Sequence, residues 1–173
     1  MKKASIILLI MAIFTIKNAN AQEGFSAKAG LNIVTIKIDY PDTFFGVLDG
    51  ASASETGFYL GGGYKFDVSD TFSVEPAALF SLVNSATSLY IPVMGQYYFT
   101  DKFYAQAGPQ INFLLESVDD GALGIDIALG GGYNIDDNWY VEARYGFEVF
   151  RGGDYGEFTS INTFSIGAGF RFN

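Results

Sequence analysis

Eight charged residues are set singly among glycines, tyrosines and amides: Lys28, Lys65, Glu75, Asp126, Glu142, Arg144, Glu148 and Arg171. Two acids facing each other across a narrow space could hydrolyse a substrate as a carboxylate pair. Acids and bases in sequence could pass a proton. Or each charge could simply satisfy another, as charges removed from water must. The last reading is preferred, because the bases suffice to pair the acids and no nucleophile stands beside a base. The chain has no histidine and no cysteine. That removes the commonest general base, the commonest metal ligand, thiolate sites and disulfides. A second acidic group, Asp39, Asp42, Asp49, Glu55, Glu116, Asp119, Asp120, Asp154 and Glu157, could attract calcium. None of it has a defined calcium-loop spacing, so it reads as a solvated anionic rim. Two glycine triplets, in GGGYKFDVSDTFSVEP (61–76) and GGGYNIDDNWYVEA (130–143), could cradle phosphate. Neither opens a helix and neither is followed by the Lys-Ser/Thr of a phosphate loop. No cofactor is expected.

Strands must position these residues. Beyond Ala21 alternation with period two runs through almost the whole chain, and no helical period is evident. Eight strands are expected, near 24–38, 55–66, 71–83, 88–99, 103–116, 122–135, 139–150 and 160–172. One face of each is apolar: Phe58, Leu60, Tyr64 and Phe66 in the second, for example, or Phe164, Ile166, Phe170 and Phe172 in the last. The eight charges fall on the other face. Connections at 67–70, 100–102 and 136–138 are tight and polar. The others are expected to be long near 39–54 and 150–160 and shorter, though longer than the tight turns, near 84–87 and 117–121. Short and long alternate, as in an up-and-down barrel with all tight turns at one end.

Alternation alone does not say which face points inward. A soluble lipocalin-like barrel buries its apolar face, and a membrane barrel turns it to lipid. Here the polar face is too poor in ions for a water-facing surface. Aromatics crowd the strand ends beside the tight turns, as at a membrane interface: Tyr64, Phe66, Phe72, Tyr97, Phe99, Phe103, Tyr133, Trp139, Phe170 and Phe172. Strands of this length can cross a bilayer when tilted. The glycines then have a steric reason. They face a narrow lumen and leave room for Lys28, Tyr104, Tyr140 and Arg171. A third copy of the hairpin, GQYYFTDKFYAQA (95–107), carries Gln96, Tyr98 and Gln106 instead, which places the charges toward one side of the lumen.

The G-x-G-Y–turn–aromatic-x-V-E pattern, the strand Leu89-Tyr90-Ile91-Pro92-Val93 and the aromatic C-terminal strand resemble the PorT-like outer-membrane β-barrel family over nearly all of the chain after residue 21. Members usually end on an aromatic residue; here Phe172 precedes Asn173. The resemblance implies an outer-membrane barrel and raises a link to protein secretion, in a family of mixed roles.

The basic start Met1-Lys2-Lys3, the apolar run Ile6–Ile16 and the Ala19-Asn20-Ala21 site read as a signal peptide over 1–21, with the barrel domain over 22–173. Its removal would leave seven basic residues against nineteen acidic ones, a net of −12, which speaks against a nucleic-acid partner. Tyr40, Phe44, Phe45, Val47 and Leu48 lie in the first long loop, either as a partner-contact surface or as a cover for the barrel mouth. The reading is an all-β, eight-stranded antiparallel transmembrane barrel of a bacterial outer membrane. It is expected to be monomeric and non-enzymatic, with a lumen filled by side chains. A small-solute channel is the main alternative, and a soluble ligand-binding barrel a lesser one.

Overall fold

The computed structural model describes residues 24–38, 51–84, 86–115, 123–152 and 159–172. They form eight strands: β1 (Gly24–Ile38), β2 (Ala51–Ser69), β3 (Phe72–Val83), β4 (Ala86–Tyr98), β5 (Phe103–Leu114), β6 (Leu123–Asn134), β7 (Trp139–Arg151) and β8 (Thr159–Phe172). Each pairs antiparallel with its neighbours in sequence, and β8 returns to β1, closing the barrel. Closure leaves no strand edge with unmet backbone groups, which is what a sheet needs to live in hydrocarbon.

The apolar face points outward. Leu60 is 67% exposed, Phe80 53% and Ile166 49%, while inward-facing Glu75 and Arg171 are only 2% and 1% exposed. A water-soluble barrel would have these values reversed. The aromatics beside the tight turns form contacting pairs: Phe25–Tyr64, Tyr97–Phe99, Phe103–Tyr133 and Trp139–Phe170, with ring centroids 4.7–5.3 Å apart. Such rings tolerate both lipid and headgroup, so the belt marks an interface level.

Each tight turn carries one side-chain acceptor at the same place, one residue before an aspartate. Ser69 Oγ accepts from the Thr71 N–H, and Thr100 Oγ1 from the Lys102 and Phe103 N–H groups. Asp136 Oδ1 accepts from the Asn138 and Trp139 N–H groups. These two donors hold the Asp136 carboxyl below its usual range, since they favour the ionised form. The acidic turn is therefore a repeated local device: a short polar side chain stands in for backbone turn bonds.

Three expectations need correction. The β3–β4 connection is not longer than the tight turns. Only residues 84 and 85 separate the strands, and Asn84 has φ 52°, a left-handed conformation that Asn tolerates. β2 extends beyond 55–66 at both ends, so Asp67, expected in a tight turn, belongs to a strand. At 19 residues it exceeds the roughly 9–11 that span a bilayer. Finally, β7 contains a bulge. Asp126 pairs with Glu148 but Ile125 pairs with Phe150, leaving Val149 as an extra residue. Val149 and Phe150 both point outward, and Arg151 turns in.

Candidate functional site

The lumen's lower half, on the tight-turn side, is organised around one lysine. Lys28 Nζ lies 3.0 Å from Glu75 Oε2 and 3.2 Å from Glu142 Oε2. Ser26 donates to Glu75 Oε1 at 2.9 Å and Gln96 to Glu75 Oε2 at 2.7 Å. Arg144 Nε stands 3.8 Å from Glu142 Oε1. These groups are almost wholly removed from solvent. Lys28 thus holds two carboxylates at once, and polar neighbours take up the remaining acceptor capacity of Glu75. Such pairing is what makes buried charge tolerable.

Two further cations stand nearby. Lys65 pairs with Asp67 at 3.1 Å and lies over the Tyr98 ring. The Arg171 guanidinium is 4.2 Å from the Tyr140 ring centre and donates to Asn134 at 3.0 Å. Lys28, Lys65, Glu75, Glu142, Arg144 and Arg171 come from β7, β8, β1, β2 and β3, which are contiguous in the barrel. The opposite wall supplies amides, tyrosines and glycines.

The glycines are slots for the tyrosines. Tyr104 pairs directly with Gly132, Tyr140 with Gly169 and Tyr59 with Gly30. A Cβ on Gly132 or Gly169 would collide with the phenol end of Tyr104 or Tyr140. Each tyrosine lies against the bare backbone of its paired strand, where a second side chain could not fit.

Asp126 is not part of this cluster. It lies toward the other end, where Gln110 and Asn112 each donate to its carboxylate at 2.7 Å. Arg151 grips Glu148 through Nε and Nη2, both at 2.7 Å, and its Nη2 also reaches Asn112 at 3.3 Å. Above this level the lumen changes character. Val34, Ile36, Val83, Leu114 and Ile161 line a small cavity of about 90 Å³ beside Glu55 and Arg151. Residue types had not suggested an apolar lining there.

Sequence reasoning missed Asp67, Asn134 and Arg151 as lumen partners. Carrying the alternation of β2 one step past Lys65 would have found Asp67. Arg151 was hidden by the bulge, which inverts the parity beyond Glu148. The candidate contact residues Tyr40, Phe44, Phe45, Val47 and Leu48 lie outside the described residues, as do the signal-peptide segment and the acidic residues of the long loops other than Glu55. Among the described residues, no group of three or more acidic side chains is arranged to hold a metal ion.

A family model described as outer membrane protein beta-barrel domain matches residues 6–172. No curated protein matches the chain. Among solved structures, the chain is similar to Neisserial surface protein A, at 17% identity and a TM-score of 0.53, over 86% of this chain and 97% of that one. It is similar to the outer membrane protein OprG from Pseudomonas aeruginosa, at 15% identity and a TM-score of 0.51, over 88% and 98%. It is also similar to Ail, the attachment invasion locus protein of Yersinia pestis, at 16% identity and a TM-score of 0.50, over 87% and 99%. At such identities the likeness is one of fold. Together with the outward apolar face and the inward ion pairs, the family match makes this chain a member of the outer membrane protein beta-barrel domain family, seated in the outer membrane of a bacterium.

Proposed function

We propose that this protein is a non-enzymatic outer-membrane barrel with a sealed lumen, acting through its extracellular loops as a contact site for a protein partner. The observation that carries this reading is the Lys28–Glu75–Glu142 cluster. Its charges are spent on one another inside a lumen packed with tyrosine rings. They therefore serve to fill and fix the barrel, and catalysis or conduction is not their role. The other network members, Lys65, Asp126, Arg144 and Arg171, have the same structural role in this reading. With the interior committed, the surfaces left for recognition are the loops. Tyr40, Phe44, Phe45, Val47 and Leu48 offer aromatic and aliphatic side chains of the kind that anchor protein contacts. The PorT-like resemblance points to a partner connected with protein secretion. The proposed protein is monomeric, reaches the membrane through a signal peptide over 1–21, and needs no cofactor.

Deletion of residues 42–50 tests the partner role. Crosslinking in intact cells should show a partner adduct that the deletion abolishes, while the barrel still migrates as a folded species on an unheated gel. An adduct pattern unchanged by the deletion would remove the first loop from the contact site.

A further inference from the structure

Three of the four prolines in the chain stand near the centres of three consecutive strands: Pro76 in β3, Pro92 in β4 and Pro109 in β5. A central strand is the wrong place for proline, because it has no N–H to give the ladder. The pairings lapse beside each one. The β2–β3 register passes from Gly63–Ala77 to Phe66–Val74, skipping the places where Tyr64 would face Pro76 and Lys65 would face Glu75. The β3–β4 register skips Ala77 opposite Pro92, and the β4–β5 register skips Val93 opposite Pro109. On its other side each proline is paired normally: Pro76 with Val93, Pro92 with Gln110, Pro109 with Ile127. Every proline therefore turns its nitrogen toward the preceding strand, and the carbonyls of Tyr64, Ala77 and Val93 lose the donors that would complete their pairs.

The breaks are aligned. Tyr64, Pro76, Val93 and Pro109 form one row across the sheet, and Ala77 and Pro92 lie in the adjacent row. The ladders β8–β1, β1–β2 and β5–β6 run without a skipped pair. The wall is also thin at this place. A shallow dent of about 300 Å³ opens on the outer surface over Gly62, Pro76 and Ala78. Toward the strand centres, where the prolines stand, an unmet backbone group has no water to turn to.

We infer that the wall from β2 to β5 is a seam at which the barrel opens locally, from the belt level at Tyr64 to the strand centres of β4 and β5, while the opposite wall stays closed. The seam borders the charged cluster, because Glu75, held by Lys28, stands in β3 beside Pro76. Its inward residues are Glu75, Ala77, Pro92 and Met94, while Lys28 and Glu142 belong to the uninterrupted side.

Amide hydrogen exchange on the full barrel in lipid nanodiscs, read residue by residue by NMR, tests this. The amides of Tyr64, Ala77 and Val93 should exchange at least tenfold faster than those of Leu31, Tyr145 and Ile166, which lie near the centres of β1, β7 and β8. Pro109→Val restores a donor opposite Val93 and should slow exchange at Val93 by tenfold or more. Pro109→Ala does the same with less bulk if valine prevents folding, and Pro92→Ala should slow Ala77. Exchange at the seam equal to that of the control amides, or unchanged by the restored donors, would overturn the inference.

Discussion

Lys28→Met should lower the stability of the folded barrel by about 3–5 kcal/mol, the range for removing one partner of a buried ion pair. The substitution keeps length and volume but strands two carboxylates. Glu75 and Glu142 are 2% and 3% exposed, so neither can recruit bulk water. Both accept from the same ammonium, and Arg144 at 3.8 Å is too distant to replace it for Glu142. Urea titration of the barrel refolded in vesicles measures the effect, with Trp139, the single tryptophan, as reporter. Adding Glu75→Gln and Glu142→Gln to Lys28→Met should return most of the loss, because no unpaired charge then remains. A loss below about 1 kcal/mol for Lys28→Met alone would be that of an exposed ion pair, and would show that the lumen is wet.

Ile166→Arg should cost about 2–4 kcal/mol, and Phe172→Arg no more than about 1 kcal/mol. Both residues point outward from β8, and both are about half exposed. They differ in position. Ile166 lies mid-strand, at the depth of the hydrocarbon centre, and Phe172 closes the strand within the aromatic belt. From the interface level an arginine can reach the headgroups, but from mid-depth it must thin the bilayer or tilt the barrel. The same vesicle titration gives both values. Equal and negligible costs would mean that the outer face meets water.

Period-two alternation sustained over ten or more residues fixes both the existence of a strand and the side each residue faces. Lys28, Glu75, Glu142 and Arg171 were therefore legible as companions on one surface, and the glycines as the gaps between them. The faces stayed legible wherever the pleat was regular. At Val149 an inserted residue reversed the parity, and Arg151 was read as a loop residue although it holds Glu148. At residues 84 and 85 the connection was taken to be longer because nothing in the alternation reports how far a strand continues. Which charges meet was not legible at all. That Lys28 reaches both Glu75 of β3 and Glu142 of β7 depends on the register between strands distant in sequence, set by barrel closure. The prolines illustrate the same limit. Each was visible as a residue, but their alignment into adjacent rows exists only once β2 to β5 are in register. The apolar cavity above Asp126 arises likewise, where strands that continue past the polar level bring Val34, Val83 and Ile161 inward.

That the charged cluster and the tyrosine rings seal the lumen is most directly tested by single-channel recording on the purified barrel in a planar bilayer. The packing predicts no steady openings above the bare-bilayer baseline, for either potassium chloride or small organic ions, with the wild-type chain. Resolvable, long-lived openings of uniform size would contradict it and make the barrel a channel.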